Sequence, residues 1–83
     1  MAVFEKEDIR NKVVKIVTDK LSVEKETVEK SGSFQDLGAD SLDMVDIIMK
    51  LEEQFSIEIN DEDAEKLSSL NEVVDYIYGI KKK

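Results

Sequence analysis

The chain has 83 residues, a length that allows one domain with a small hydrophobic core. It contains no cysteine, which excludes disulfides and thiolate metal sites, and no histidine, which removes the usual general base and metal ligand. The formal net charge is −8, and residues 36–65 hold eleven carboxylates against one cation, so this segment repels nucleic acid and attracts basic protein surfaces.

The first predicted helix covers residues 5–20, with acidic residues early and Lys20 late, as the helix dipole prefers. Its apolar stripe is Ile9, Val13, Ile16 and Val17. Residues 22–40 are rich in serine and glycine and predict a long first loop, in which residues 23–28 can form a short turn of helix. The side chains expected to pin this loop to the core are Val23, Val28, Phe34 and Leu37.

The clearest helical pattern covers residues 41–55. Its predicted core face is Met44, Val45, Ile48, Leu51 and Phe55, and further apolar residues widen the band at Leu42, Ile47 and Met49. Asp40 is the predicted N-cap and Asp43 lies in the first turn. Ser41 is therefore expected in solvent at the helix start, where unpaired backbone N–H groups and the helix dipole favour an anion such as a phosphate ester.

Residues 56–59 alternate like a strand, but no other segment could pair with them, so we expect an extended connector that places Ile57 and Ile59 in the core. Asn60 is predicted to cap a short helix over residues 61–66, with Ala64 and Leu67 facing inward.

Ser68 or Ser69 is predicted to cap the last helix, and Gly79 to mark its end. The apolar stripe of this helix is Leu70, Val73, Val74, Ile77 and Ile80. Together these elements predict an all-α fold, a small four-helix bundle of three main helices and one short helix with a long first loop.

The sequence argues against two kinds of chemistry, serine-dependent catalysis and dedicated calcium binding. The pattern Gly-x-Asp-Ser-Leu at residues 38–42 is also typical of the nucleophile segment of one hydrolase class, but such a serine needs a neighbouring base, most often histidine. Asp61, Asp63 and Glu65 partly match a calcium-loop spacing, yet Lys66 stands where that loop requires glycine. We therefore expect neither an enzyme nor a dedicated metal site.

A series of motifs follows in a fixed order along the chain: Phe34, Asp36-Leu37-Gly38-Ala39-Asp40-Ser41-Leu42-Asp43, Leu51-Glu52-Glu53-Gln54-Phe55, Ile57-Glu58-Ile59, Asp61-Glu62-Asp63-Ala64-Glu65-Lys66 and Val74-Asp75-Tyr76-Ile77. Together these motifs resemble the acyl carrier protein family, and the chain is expected to be a single acyl-carrier domain over residues 1–83. The resemblance implies that Ser41, flanked by Asp40 and Leu42, carries a 4′-phosphopantetheine arm, which a separate phosphopantetheinyl transferase places there from coenzyme A. The thiol of the arm supplies the thioester chemistry.

The resemblance also implies that the second main helix is a docking face for the basic enzymes of fatty-acid synthesis. The implied charged contacts are Asp40, Asp43, Asp46, Glu52 and Glu53, and the implied apolar contacts are Leu42, Val45 and Met49. The acyl chain is implied to lie between the helices in a pocket lined by Ile48, Leu51, Phe55, Ile59, Ala64 and Leu67. The alternative for this last set is an ordinary bundle core.

Three features depart from the common family pattern and bear on the acyl chain length: the single residue between Phe34 and Asp36, Met44 in place of a frequent threonine, and Asn60 in place of a usual proline.

No apolar run approaches the length of a membrane span, and the N-terminus lacks the features of a secretory signal or transit peptide. We therefore expect a cytoplasmic protein, or an organelle protein already trimmed, and a monomer. We interpret it as a carrier of acyl thioesters in fatty-acid synthesis. Two alternatives stay open: a stand-alone carrier for polyketide or nonribosomal peptide assembly, and an acidic adaptor whose Ser41 is never modified.

Overall fold

The structure, a computed structural model, describes residues 5–81. These residues form five α-helices and no β-strand: α1 Lys6–Leu21, α2 Lys25–Lys30, α3 Ser41–Phe55, α4 Asp61–Lys66 and α5 Leu70–Lys81. A 3₁₀ turn, Gln35–Leu37, lies between α2 and α3. The prediction of an all-α bundle with three main helices is confirmed. The long first loop additionally contains a second short helix, α2.

The three long helices share one hydrophobic core, in which α1 packs against both α3 and α5. One predicted core position was wrong, and one buried position of α1 was not predicted. On α1 the predicted residues Ile9, Val13 and Val17 are fully buried. Val14, which was not predicted, is also buried, and Ile16 packs against the core but is only partly buried. On α3 Ile47 is completely buried and Val45 is 54% exposed, so the core face is rotated towards Ile47.

The segment from α2 to the start of α3 is fixed to the core by buried side chains and backbone hydrogen bonds. Val28 and Phe34 are buried, and the Phe34 N–H donates to the carbonyl oxygen of Ser68 at 2.9 Å. The Phe34 carbonyl in turn accepts from the N–H of Leu37 and of Ala39. Gly38 has φ 87°, a left-handed conformation that glycine adopts without strain. These contacts fix the path of the chain immediately before α3.

The ends of the helices agree with the predictions except at Gly79. The Asn60 side chain accepts from the Asp63 N–H at 2.8 Å and caps α4, and Ser69 Oγ accepts from the Glu72 N–H at the start of α5. Gly79 has no positive φ, so it does not provide the left-handed residue that ends many helices, and α5 continues to Lys81.

Candidate functional site

Ser41 is the first residue of α3, and its side chain is exposed. Asp40 precedes it in an extended conformation as the N-cap. The Asp40 Oδ1 atom accepts from the Asp43 N–H at 2.9 Å, and the Asp43 Oδ2 atom accepts from the Asp40 N–H at 3.3 Å. This reciprocal capping box fixes the start of the helix at Ser41. The predicted cap at Asp40 is confirmed, and the part of Asp43 in the box was not foreseen.

Two opposing electrostatic effects act on an anion at the start of α3. The backbone N–H groups of Ser41 and Leu42 belong to the first turn and have no acceptor within the helix, and the dipole places partial positive charge there. The carboxylates of Asp40 and Asp43 lie at the same end and oppose a free anion. The helix dipole therefore attracts an anion at this position, and the two carboxylates repel it.

An apolar patch on α3, composed of Leu42, Val45 and Met49, faces solvent. These side chains are 76%, 54% and 52% exposed, and they are the large hydrophobic side chains most open to solvent in residues 5–81. Exposed carboxylates lie on the same helix at Asp46 and Glu53. A cluster of exposed apolar side chains bordered by charge is typical of a protein interaction surface. The structure thus brings the predicted apolar contacts together on one helix.

Besides Asp40 and Asp43 in the capping box, two further predicted docking carboxylates make contacts within the protein. Glu52 is half-buried, and its Oε2 atom accepts from the Ile59 N–H at 2.9 Å, which ties the connector after α3 back to that helix. Asp46 Oδ2 lies 2.6 Å from the Nζ atom of Lys20 on α1. Sequence reasoning missed both contacts.

The predicted acyl pocket falls inside the hydrophobic core. Ile48, Leu51, Phe55, Ile59 and Leu67 are buried, and Ala64 is partly buried against them. A separate open groove of about 770 Å³ lies between α1 and α3, and its lining includes Lys20, Asp46 and Met49 but none of the predicted pocket residues. An acyl pocket in the core stays a prediction, because these side chains pack against one another in this structure.

The acidic segment at residues 61–65 is helical as part of α4, so it does not form a calcium-binding loop. In the part of the chain that the structure covers, no group of three or more acidic side chains is arranged to hold a metal ion. Among residues 5–81, no helix has both the length and the apolar character needed to cross a membrane.

Comparison with known proteins points to one family. The family model described as the phosphopantetheine attachment site matches residues 11–77. A solution structure assigned as an acyl carrier protein from Anaplasma phagocytophilum is 38% identical, covers 96% of each chain and has a TM-score of 0.80. An acyl carrier protein from Enterococcus faecalis is 35% identical, with 92% of this chain and 98% of that chain covered, and has a TM-score of 0.77.

The family match spans most of the chain and includes Ser41, Asp40 and the whole of α3. Both structural matches extend over nearly the full length of the two chains compared. The chain therefore belongs to the acyl carrier protein family, whose members bear a covalent 4′-phosphopantetheine group and are carriers rather than enzymes.

Proposed function

We propose that the protein carries acyl groups as thioesters on a 4′-phosphopantetheine arm attached to Ser41 and delivers them to the enzymes of fatty-acid biosynthesis. The observation that supports this most directly is the exposed Ser41 hydroxyl at the capped start of α3, inside the segment matched by the attachment-site family. Asp40 and Leu42 flank the attachment position. The whole chain, residues 1–83, acts as one carrier domain, monomeric and cytoplasmic.

The attachment is made by another enzyme, because the chain supplies little to activate the serine itself. It has no histidine, and the residues beside Ser41 are acidic or apolar. A phosphopantetheinyl transferase therefore supplies the base and binds the coenzyme A. The Ser41 oxygen attacks the phosphorus that bears the pantetheine arm and gives up its proton to that base, and the pyrophosphate bond of coenzyme A breaks to release adenosine 3′,5′-bisphosphate. Once attached, the arm provides the thiol for thioester formation, a group that a cysteine-free chain lacks.

The acidic surface of α3 is the proposed docking face for basic partners. Residues 36–65 contain eleven carboxylates and one cation, so a basic surface is attracted at long range and approach is faster at low salt. Each exposed carboxylate contributes about 0–1 kcal/mol to the binding free energy. Its main effects are on the rate of encounter and on the relative position of the two proteins. The proposed charged contacts are Asp40, Asp43, Asp46, Glu52 and Glu53, and the patch of Leu42, Val45 and Met49 supplies the apolar contact area.

The acyl chain is proposed to enter the core between the helices, where it would contact the predicted pocket residues. Burying about six methylene groups contributes roughly 5 kcal/mol at ~0.8 kcal/mol each. That gain is comparable to the whole folding free energy of a small domain, roughly 5–15 kcal/mol. The free energy gained by burying the acyl chain can therefore offset the cost of opening the core, which is closed when no acyl chain is bound.

Intact-mass spectrometry tests the attachment. The unmodified protein is incubated with a phosphopantetheinyl transferase and coenzyme A, and we expect a gain of one phosphopantetheine group per chain. Ser41→Ala should keep its circular dichroism spectrum and gain nothing. Ser56→Gly is the matched control, since Ser56 has φ 54° and glycine adopts that conformation readily, so this variant loses a hydroxyl yet should still be loaded. Loading of Ser41→Ala, or no loading of the unchanged protein, would contradict the proposal.

The pathway is tested on protein purified from native cells. We expect the arm to carry fatty acyl groups of increasing length, both saturated groups and groups with a 3-oxo or 3-hydroxy substituent. Polyketide or aminoacyl intermediates would instead assign the protein to the alternative carrier class, and an unmodified mass under all growth conditions would favour the acidic adaptor.

A further inference from the structure

One carboxylate of the proposed docking face already has a cation beside it. Lys20, in the last turn of α1, places its Nζ atom 2.6 Å from Asp46 Oδ2 on α3. The Lys20 and Asp46 side chains are 35% and 52% exposed, so the pair lies at the surface and is accessible to a partner. By contrast, Asp40 and Asp43 form their hydrogen bonds with backbone N–H groups and contact no cation in the described part of the chain.

Lys20 also lies within the electrostatic field of the carboxylates nearest Ser41. Its pKa is raised above the ordinary value of 10.5, chiefly by the hydrogen bond to Asp46. Burial opposes this as the second-largest effect, and the charges of Asp46, Asp43 and Asp40 raise the pKa further. The groove between α1 and α3 is lined by further charges of both signs, at Lys12, Lys15, Asp19, Lys50 and Glu53. The α1 edge of the docking face is therefore bordered by lysine side chains.

We propose that Lys20 competes with the cationic surfaces of partner proteins for Asp46, and thereby sets how tightly the acidic face of α3 binds them. This inference rests on the proposed function, because it assumes that basic partners dock on α3. A lysine or arginine of a partner that approaches Asp46 must either displace Lys20 or leave the existing pair intact. Such a partner is therefore directed to Asp40 and Asp43, the carboxylates next to Ser41 that form no ion pair within residues 5–81.

The expected effect is modest, since both side chains are substantially solvated. Removing the competing charge should strengthen docking by roughly two- to fivefold at low ionic strength, the range that exposed ion pairs support. The effect should fade as salt rises, because the Debye length falls to about 8 Å near 0.15 M and to about 3 Å at 1 M.

The test compares Lys20→Gln with Lys25→Gln. Both variants change the net charge equally, but Lys25 lies at the start of α2 and lines a different groove together with Lys6 and Arg10. The probe is a phosphopantetheinyl transferase with coenzyme A, and the KM for the carrier is measured at low and high salt. We expect the KM of Lys20→Gln to fall about two- to fivefold relative to Lys25→Gln at low salt, and the two to converge at high salt.

A double-mutant cycle with Asp46→Asn separates competition from a merely structural role of Lys20. Competition predicts that Asp46→Asn raises KM more in the Lys20→Gln background than in the unchanged protein, because the freed carboxylate then contributes to docking. If Lys20 only held α1 against α3, Lys20→Gln would lower the melting temperature and leave KM equal or higher. Equal KM values for the two lysine variants would overturn the inference about Lys20. The proposed function would still be supported in that case, provided that the unchanged protein is loaded. Absence of any loading would contradict the proposed function itself.

Discussion

Two substitutions at Asp40 separate the structural role of its side chain from its negative charge. Asp40→Ala and Asp40→Asn both remove one charge from the acidic segment, but asparagine caps a helix about as well as aspartate and alanine has no side-chain acceptor. Only the alanine variant loses the 2.9 Å hydrogen bond from the Asp43 N–H. The difference in stability between the two variants therefore measures the cap alone.

Loss of such a cap costs about 1 kcal/mol, within a range of roughly 0.5–2 kcal/mol. In a domain of this size, 1 kcal/mol corresponds to about 4–8 °C in Tm. We expect Asp40→Ala to melt about 4–8 °C below Asp40→Asn when unfolding is followed by circular dichroism. Both variants should bind basic partners less tightly, because both lack the charge. Equal melting temperatures would refute the argument that the capping box fixes the start of α3 and with it the position of Ser41.

Three further predictions concern stability. Ile47→Ala should lower the free energy of unfolding by about 2–5 kcal/mol, because the Ile47 side chain is fully buried. Val45→Ala should change the free energy of unfolding by less than about 0.5 kcal/mol. Denaturant unfolding measures both changes, and equal losses would contradict the assignment of Ile47 to the core face. Hydrogen bonds from Ser68 lower the pKa of Glu72, so its stabilising contribution is present above pH 4.5, the ordinary value, and is lost as pH falls through the folded-state pKa. The stability advantage over Glu72→Gln should therefore shrink on acidification, and an advantage that is constant with pH would contradict this. Finally, sodium or magnesium chloride should raise Tm by screening the eleven carboxylates of residues 36–65, and a Tm that falls on addition of salt would argue against repulsion among them.

The bounds of α3 could be predicted because independent local signals coincide there. A capping residue, Asp40, directly precedes the periodic apolar run, and the observed helix begins at Ser41 and ends at Phe55 as expected. The same holds for α4, where Asn60 provides the cap. Local hydrogen bonds between residues three positions apart determine these boundaries, so the sequence contains the information directly.

The choice between Val45 and Ile47 as a core residue could not be made locally. An α-helix turns by about 100° per residue, so the angle around the helix axis can be measured from the centre of the stripe formed by Ile48, Leu51 and Phe55. Val45 lies about 85° to one side of that centre and Ile47 about 75° to the other. Both are β-branched and apolar, so periodicity barely distinguishes them. The packing of the neighbouring helices decides which one is buried, and that is a property of the folded chain.

The contacts that Asp46 and Glu52 of the proposed docking face make within the protein could not be predicted from sequence patterns either. Lys20 and Asp46 are 26 residues apart, and their pairing depends on how α1 packs on α3. Glu52 bonds to the Ile59 N–H only because the connector after α3 folds back along the helix. From their positions in the sequence, both carboxylates were expected to face solvent. In the folded protein, Asp46 forms an ion pair with Lys20 and Glu52 accepts a hydrogen bond from the Ile59 N–H.

The claim that Ser41 bears the arm is tested most directly by fragment mass spectrometry of protein purified from native cells. Cleavage after Lys30 and Lys50 releases one peptide, residues 31–50, that contains Ser31, Ser33 and Ser41. We expect this peptide to carry one phosphopantetheine group, and we expect fragmentation to assign that group to Ser41. Assignment to Ser31 or Ser33, or an unmodified peptide from cells that are actively making fatty acids, would contradict it.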